Sequence, residues 1–354
     1  MAWQPEQVKL DQVGQLLQGC ADPTNHERHV QALQMLEQGK RDYPDFGCYL
    51  FLVFCKMPDA APELRQLAGI ELKNTIKSHF RSMSVEVMQF LKSSILAVLG
   101  DPVRQHRRIA AQIVTTVVGV TEVESWPELL PGLLQALEAA EYQEGALGAF
   151  KLLCEDHTQQ LCRPAHEALL QAMLAKFISY MANPTAEIRA TALNCIRQFI
   201  WILPNPLLAA LPNYLQGLLA LAKDPASEVR KEICQSLCLL VEMKGDFLAD
   251  ESIRQFVIEF LLWTTEHDQE YEVKKEACEF WSSLCLNDEV PAGVLKPYLS
   301  RLTLVLLNGM VYSEEELMAL EDELESVPDR PEDLDPTMLH HQSKHAVDED
   351  EDED

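Results

Sequence analysis

The sequence predicts an all-α fold, a right-handed α-solenoid of stacked helical hairpins, on three observations. First, one phrase recurs: an acid or amide, an aliphatic residue five positions on, a basic residue directly after it, then small or aliphatic residues at offsets nine and thirteen. Asp224 opens the clearest copy, with Val229, Arg230, Ile233 and Leu237. Asn183 opens another (Ile188, Arg189, Ala192, Ile196), as do Asp268 (Val273, Lys274, Ala277, Trp281) and Asp59 (Leu64, Arg65, Ala68, Leu72). Asp101 opens a fifth, with His106 in the aliphatic slot before Arg107, Ala110 and Val114. Second, these openers lie 42, 82, 41 and 44 residues apart along the chain, the long interval reading as two units of 41. A fixed period of this size marks a stacked array, because one such unit cannot cover its own apolar faces. Third, Leu and Ala outnumber aromatic and β-branched residues, which favours helix.

Within each copy the apolar steps of four fall on one helical face. The opener sits in the turn before that helix, where a short carboxylate or amide accepts from free N–H groups. A cation early in a helix is disfavoured by the helix dipole, so its recurrence requires a partner. The acidic opener of the neighbouring copy supplies one, and the prediction is a ladder of ion pairs through the stack.

In order, residues 4–20 read as a first helix with Val8, Val13, Leu16 and Leu17 on one side. After the turn at Asp22-Pro23-Thr24-Asn25 a second helix turns Val30, Leu33 and Leu36 inward. Tyr43-Pro44-Asp45 ends that pair; Phe46 to Met57 and Ala60 to Phe80 form the next. The third pair is Val85–Leu99 and Val103–Val118, parted by Gly100-Asp101-Pro102. Trp126-Pro127 begins the fourth, Pro being tolerated in a first helical turn; its second helix, around Glu144–Cys154, lacks the basic residue and is a degenerate copy. The fifth, sixth and seventh pairs are 164–182 with 186–201, 207–222 with 226–243, and 252–266 with 270–286. Leu295–Met310 is an eighth first helix. Residues 1–311 are therefore expected to form the solenoid, and 312–354 an acidic tail that is largely disordered, apart from a helical turn or two in Glu314–Glu325.

The net charge of −27 is unevenly spread: residues 312–354 hold 18 acids and two bases. Both parts repel nucleic acid, and an acidic surface attracts basic partners. The ten cysteines contain no CxxC and fall mostly on apolar helix faces, as reduced thiols packed in a core. No apolar leader follows Met1, and no apolar run is long enough to span a membrane. The sequence holds no GxxxxGK[ST], no GxGxxG after a strand, no HExxH and no GxSxG. No catalytic residue, metal site or cofactor is predicted, and the chain is expected to be a monomeric, non-enzymatic binding protein.

The Asp and Arg phrase on a forty-residue hairpin resembles the HEAT repeat. Tyr43-Pro44-Asp45-Phe46 with the run Leu67 to Phe80 resembles the amino-terminal signature of the importin-β family, at about 31–100. Trp126 to Pro131, Glu276 to Trp281 and Asn308 to Ser313 are similar to the transportin branch of that family in order and spacing. The resemblance implies a nuclear transport receptor that binds the GTP form of the GTPase Ran, with import cargo and nucleoporins as further partners, shuttling between cytoplasm and nucleus. It also implies that the chain stops inside the acidic loop of the eighth repeat, without the family's cargo-binding half. Carried onto this chain, the Ran-contacting positions are Leu72, Lys73 and Asn74, with the acids Asp268, Glu270, Glu272 and Glu276 on the seventh pair. The mechanism expected is an electronegative wall of second helices capturing a basic GTPase face. The alternative is a HEAT scaffold of another kind, whose acidic tail shields basic proteins.

Overall fold

The computed structural model describes residues 3–22, 26–57, 60–290, 293–310 and 317–318, with the Lys56 side chain not among them. Asp59, the first of the predicted openers in chain order, lies outside the described residues. So do 312–316 and 319–354, on which the acidic tail and most of the Glu314–Glu325 turns were predicted. The chain divides into two units, Met1–Leu302 and Thr303–Asp354.

Among the described residues there are helices and turns and no strand. The hairpins are α1 (Gln7–Ala21) with α2 (His26–Asp42), α3 (Phe46–Lys56) with α4 (Pro62–His79), and α5 (Val85–Ser94) with α6 (Arg104–Thr121). They continue as α7 (Leu129–Ala136) with α8 (Ala140–Leu161), α9 (Glu167–Tyr180) with α10 (Ala186–Arg197), α11 (Asn205–Ala220) with α12 (Ser227–Met243), and α13 (Glu251–His267) with α14 (Tyr271–Leu286). The last described helix, α15 (Leu299–Gly309), starts four residues later than expected, after turns. α5 continues as a 3-10 segment, Ile95–Gly100, so its predicted end holds while its hydrogen bonding changes.

The second helices α4, α6, α8, α10, α12 and α14 pack each against the next, forming one unbroken row. Their buried faces are the predicted ones. Ala68, Leu72, Ala110, Val114, Ala192, Ile196, Val229, Ile233, Leu237, Val273 and Ala277 are all inaccessible or nearly so. Burial of an aliphatic side chain of this kind contributes roughly 1.5–3 kcal/mol. The first hairpin departs from prediction. Val8, Val30 and Leu33 are exposed, and the buried face of α2 runs through Ala32, Leu36, Gly39 and Lys40. Among the described residues this hairpin packs mainly against α3 and α4, so an apolar residue outside that contact stays in water.

The ladder exists. Arg189 grips Asp224 in a two-pronged pair, Nε to Oδ2 at 2.8 Å and Nη2 to Oδ1 at 2.7 Å. Arg230 grips Asp268 in the same way. Arg65 donates to Asp101 at 2.5 Å. Each opener carboxylate also accepts an N–H two residues on: Asp101 from Val103, Asp224 from Ala226 and Asp268 from Glu270. Arg107, Arg189 and Arg230 turn back as well, donating to the carbonyls of their own openers Asp101, Asn183 and Asp224. Each of these arginines thus closes its own hairpin turn and ties it to the next.

The fourth pair corrects the equal-halves reading of the long interval. Its opener position is Leu137, 36 residues after Asp101, and the basic position is Gln143. The Gln143 amide donates to the Leu137 carbonyl, the same backward bond the arginines make. With no carboxylate at Leu137, Arg107 reaches Glu144 in the first turn of α8 instead. Arg104 also bonds Glu144 and pairs with Glu187 on α10, crossing over α8.

Candidate functional site

The solvent-facing edges of the second helices form the surface on which the candidate residues lie. A second, more exposed set of polar links crosses it. Lys73 donates to Gln112 at 3.3 Å, Asn194 and Arg197 to Glu232 at 3.1 and 2.9 Å, Lys231 to Glu272 at 3.0 Å, and Gln235 to Glu276 at 2.7 Å. Lys231 and Glu272 stand 41 residues apart, the period of the phrase itself. That spacing was the signal available for finding them.

Two candidate residues are not on this surface. Leu72 is on the buried face of α4 and takes part in the core. Its offset of thirteen from the opener already places it on the apolar face. Asp268 is also buried, its carboxylate filled by both prongs of Arg230 and by the Glu270 N–H. Burial raises the Asp268 carboxyl pKa, but the Arg230 guanidinium and the Glu270 N–H outweigh it and hold the group below its ordinary value. Asp101 behaves alike: burial pushes it up, and the Val103 N–H, Arg65 and His106 bring it below the usual range. These carboxylates are ladder parts, each already engaged in three hydrogen bonds inside the stack.

The remaining candidates are accessible. Lys73 is half-buried and Asn74 exposed on α4; Glu270 and Glu272 are exposed and Glu276 half-buried at the start of α14. Of the four acids, Glu270 is the one whose carboxylate stands clear of any ion pair among the described residues. Glu272 is held below the ordinary carboxylate value by the Lys231 ammonium. The structure does not bring the two groups together: α6, α8, α10 and α12 lie between them. At about 10 Å per packed helix, that is roughly 50 Å along the row, a span for a protein and not for a small molecule.

The row is not uniformly electronegative. Helix α6 carries Arg104, Arg107 and Arg108 and no acid, while α14 and the turn before it carry Asp268, Glu270, Glu272, Glu276 and Glu279. The charge changes sign along the row, which corrects the expectation of a single negative wall. Among the described residues no group of three or more His, Cys, Asp or Glu could hold a metal ion. None of the described helices is long and apolar enough to cross a membrane.

Comparison with known proteins agrees with this architecture. Residues 31–101 match the importin-beta N-terminal domain, which takes in most of α2, all of α3 and α4, and the Asp101 turn. The chain is 35% identical to transportin-1 of Mus musculus over 340 residues, covering 94% of this chain and 37% of that protein. It is 36% identical to transportin of Dictyostelium discoideum over 337 residues, covering 94% of this chain and 35% of the relative. The chain therefore spans little more than a third of the length of these relatives. Its fold is similar to that of Kap95p in a solved structure where Kap95p binding induces the switch loops of RanGDP to adopt the GTP-bound conformation. There the TM-score is 0.63 at 17% identity, over 92% of this chain and 39% of that one. With the importin-beta N-terminal domain at 31–101 and transportin-like sequence over 94% of its length, the chain belongs to the transportin branch of the importin-β family.

Proposed function

We propose that the chain serves a nuclear transport receptor by binding the GTP form of Ran along its row of second helices. Protein cargo and nucleoporins are the partners of the receptor as a whole, which moves between cytoplasm and nucleus. The chain acts by shape and charge and not by catalysis. Residues 1–311 provide the solenoid for this task, and 312–354 follow in sequence as an acidic segment. The observation that carries the reading is the overlap of the importin-beta N-terminal domain with α4, whose accessible Lys73 and Asn74 mark one end of the row. Glu270, Glu272 and Glu276 mark the other end, where an acidic surface suits a basic patch on the partner. The effect of Kap95p on the switch loops of Ran supports the choice of GTPase.

The test is biolayer interferometry with Ran loaded with a non-hydrolysable GTP analogue or with GDP. Binding at least tenfold tighter to the GTP-like form is the expected result. Equal affinity for both forms, or none for either, overturns the reading.

A further inference from the structure

At offset eleven from their openers, α6 carries the exposed Gln112, α12 the half-buried Gln235 and α10 the buried Asn194, while α8 carries Gly148. A Cβ added at Gly148 would meet nothing within 4 Å. The row is therefore notched at α8. The notch is a cavity of about 350 Å³ between α6, α8 and α10. It shares Gln112 and Leu152 with a second hollow of about 420 Å³, which reaches Lys73, Lys77 and Val120. Together they make a groove along α6 from Arg108 to Val120. At 1.5 Å per helical residue that is about 18 Å, the length of about five or six residues of extended chain.

The charges along the groove are not balanced. Glu144 and Glu187 are taken up by Arg104 and Arg107, and Glu155 lies 3.8 Å from Lys151. Arg108 and Lys77 are exposed and make no hydrogen bond or ion pair among the described residues, and Lys73 meets only the neutral Gln112. Against these three cations stands Asp156, in the hollow that Lys73 and Lys77 also line. The groove is thus cationic at both ends in a chain whose net charge is −27.

We propose that this groove receives an extended acidic segment of a protein partner. Its backbone lies over Gly148, one carboxylate faces Arg108, and others face Lys73 and Lys77. A nucleic-acid strand is the poorer occupant, because its unbroken phosphate charge would cross Asp156 and Glu155 and meet the negative remainder of the chain. The inference does not rest on the Ran reading, although the two surfaces share Lys73, and it concerns the part of the row opposite in sign to α14.

The test uses the full chain and a fluorescein-labelled octapeptide of alternating Asp and Leu, read by fluorescence anisotropy. Saturable binding is expected, weakened at least tenfold by Arg108→Glu with Lys77→Glu. Gly148→Gln, which fills the notch with the side chain α6 and α12 carry there, should weaken it by a similar factor. Circular dichroism melts show whether each variant is folded, and Gly148→Gln has open space to fold into. The same binding by a Lys/Leu octapeptide, no change in the Gly148→Gln variant, or equal competition by oligo-dT would overturn the proposal. Because no GTPase is present, this experiment and the Ran experiment fail separately.

Discussion

Arg230 holds Asp268 with two parallel hydrogen bonds, Nε to Oδ2 at 2.7 Å and Nη2 to Oδ1 at 2.9 Å. Its remaining nitrogen donates to the carbonyls of Asp224 and Pro225. The pair joins α12 to the turn before α14, and the Asp268 side chain is almost wholly out of water. Removing one partner leaves a buried charge alone, at a cost of about 3–5 kcal/mol, whereas replacing both by apolar groups of similar volume is often near neutral. Asp268→Ala and Arg230→Ala are each expected to lower the melting temperature sharply. Arg230→Met with Asp268→Leu should recover most of the loss. Strictly additive single effects in the double-mutant cycle would contradict the paired geometry.

Stability should fall on the acid side through these same carboxylates. Asp101 and Asp268 titrate below the ordinary carboxylate value in the folded chain. The stability they contribute is fully present above the unfolded pKa of about 3.9, and is lost as pH falls through their lower folded values. Asp268→Asn should flatten this acid limb in urea denaturation followed from pH 6 down to pH 3. An unchanged slope would count against the ladder as its source.

Two glycines three residues apart on α8 should respond in opposite directions. A Cβ on Gly145 would sit 2.1 Å from the Leu99 carbonyl oxygen, where the backbones of two hairpins nearly touch. A Cβ on Gly148 would meet nothing. Gly145→Ala is expected to cost more than about 2 kcal/mol through forced separation of the helices. Gly148→Ala is expected to stabilise by about 0.5–1 kcal/mol, the ordinary helical preference of Ala over Gly. Thermal melts of the two variants decide this.

Association with Ran should depend on the accessible acids and not on the buried one. Glu270→Lys with Glu272→Lys is expected to slow association several-fold at low salt, with the difference shrinking as ionic strength rises. Stopped-flow or interferometric association rates at 50 and 300 mM salt provide the check. A salt-independent effect would point to lost folding and not to lost steering.

Thiol reactivity should sort by depth. Cys285 is exposed, while Cys48, Cys154 and Cys234 are buried. Burial pushes the Cys48 thiol up to about 12 and raises Cys154 and Cys234 as well. Since the thiolate is the reactive form, Ellman's reagent should label Cys285 in the native protein at neutral pH, and the three buried thiols only after unfolding.

The hairpins and the ladder were legible in the sequence because both rest on charges and apolar steps at fixed offsets. Asp224, Arg189, Arg230 and Asp268 could be paired before any coordinate was known. The fourth rung was not legible, since Leu137 and Gln143 carry no charge and only the backward bond to a carbonyl reveals their place. The site was legible in part. Lys73, Asn74, Glu270, Glu272 and Glu276 are accessible. Leu72 and Asp268 are not, because both also belong to the repeating phrase, and packing and pairing had already claimed them. The reversal of charge between α6 and α14 was hidden beneath a strongly negative total.

The arginine that closes its own turn and reaches forward gives the stack a direction, and shortening it from either end is not equivalent. Trimming away α13 and α14 leaves Arg230 without its acid, yet a guanidinium on a flexible stem can swing into water at modest cost. Trimming everything up to α12 leaves Asp268 on a short stem fixed in its turn, where it must be hydrated in place or protonated. Fragments that begin at a cut between hairpins should therefore need a capping substitution at the stranded aspartate, while fragments that end at one should stay soluble and folded without it.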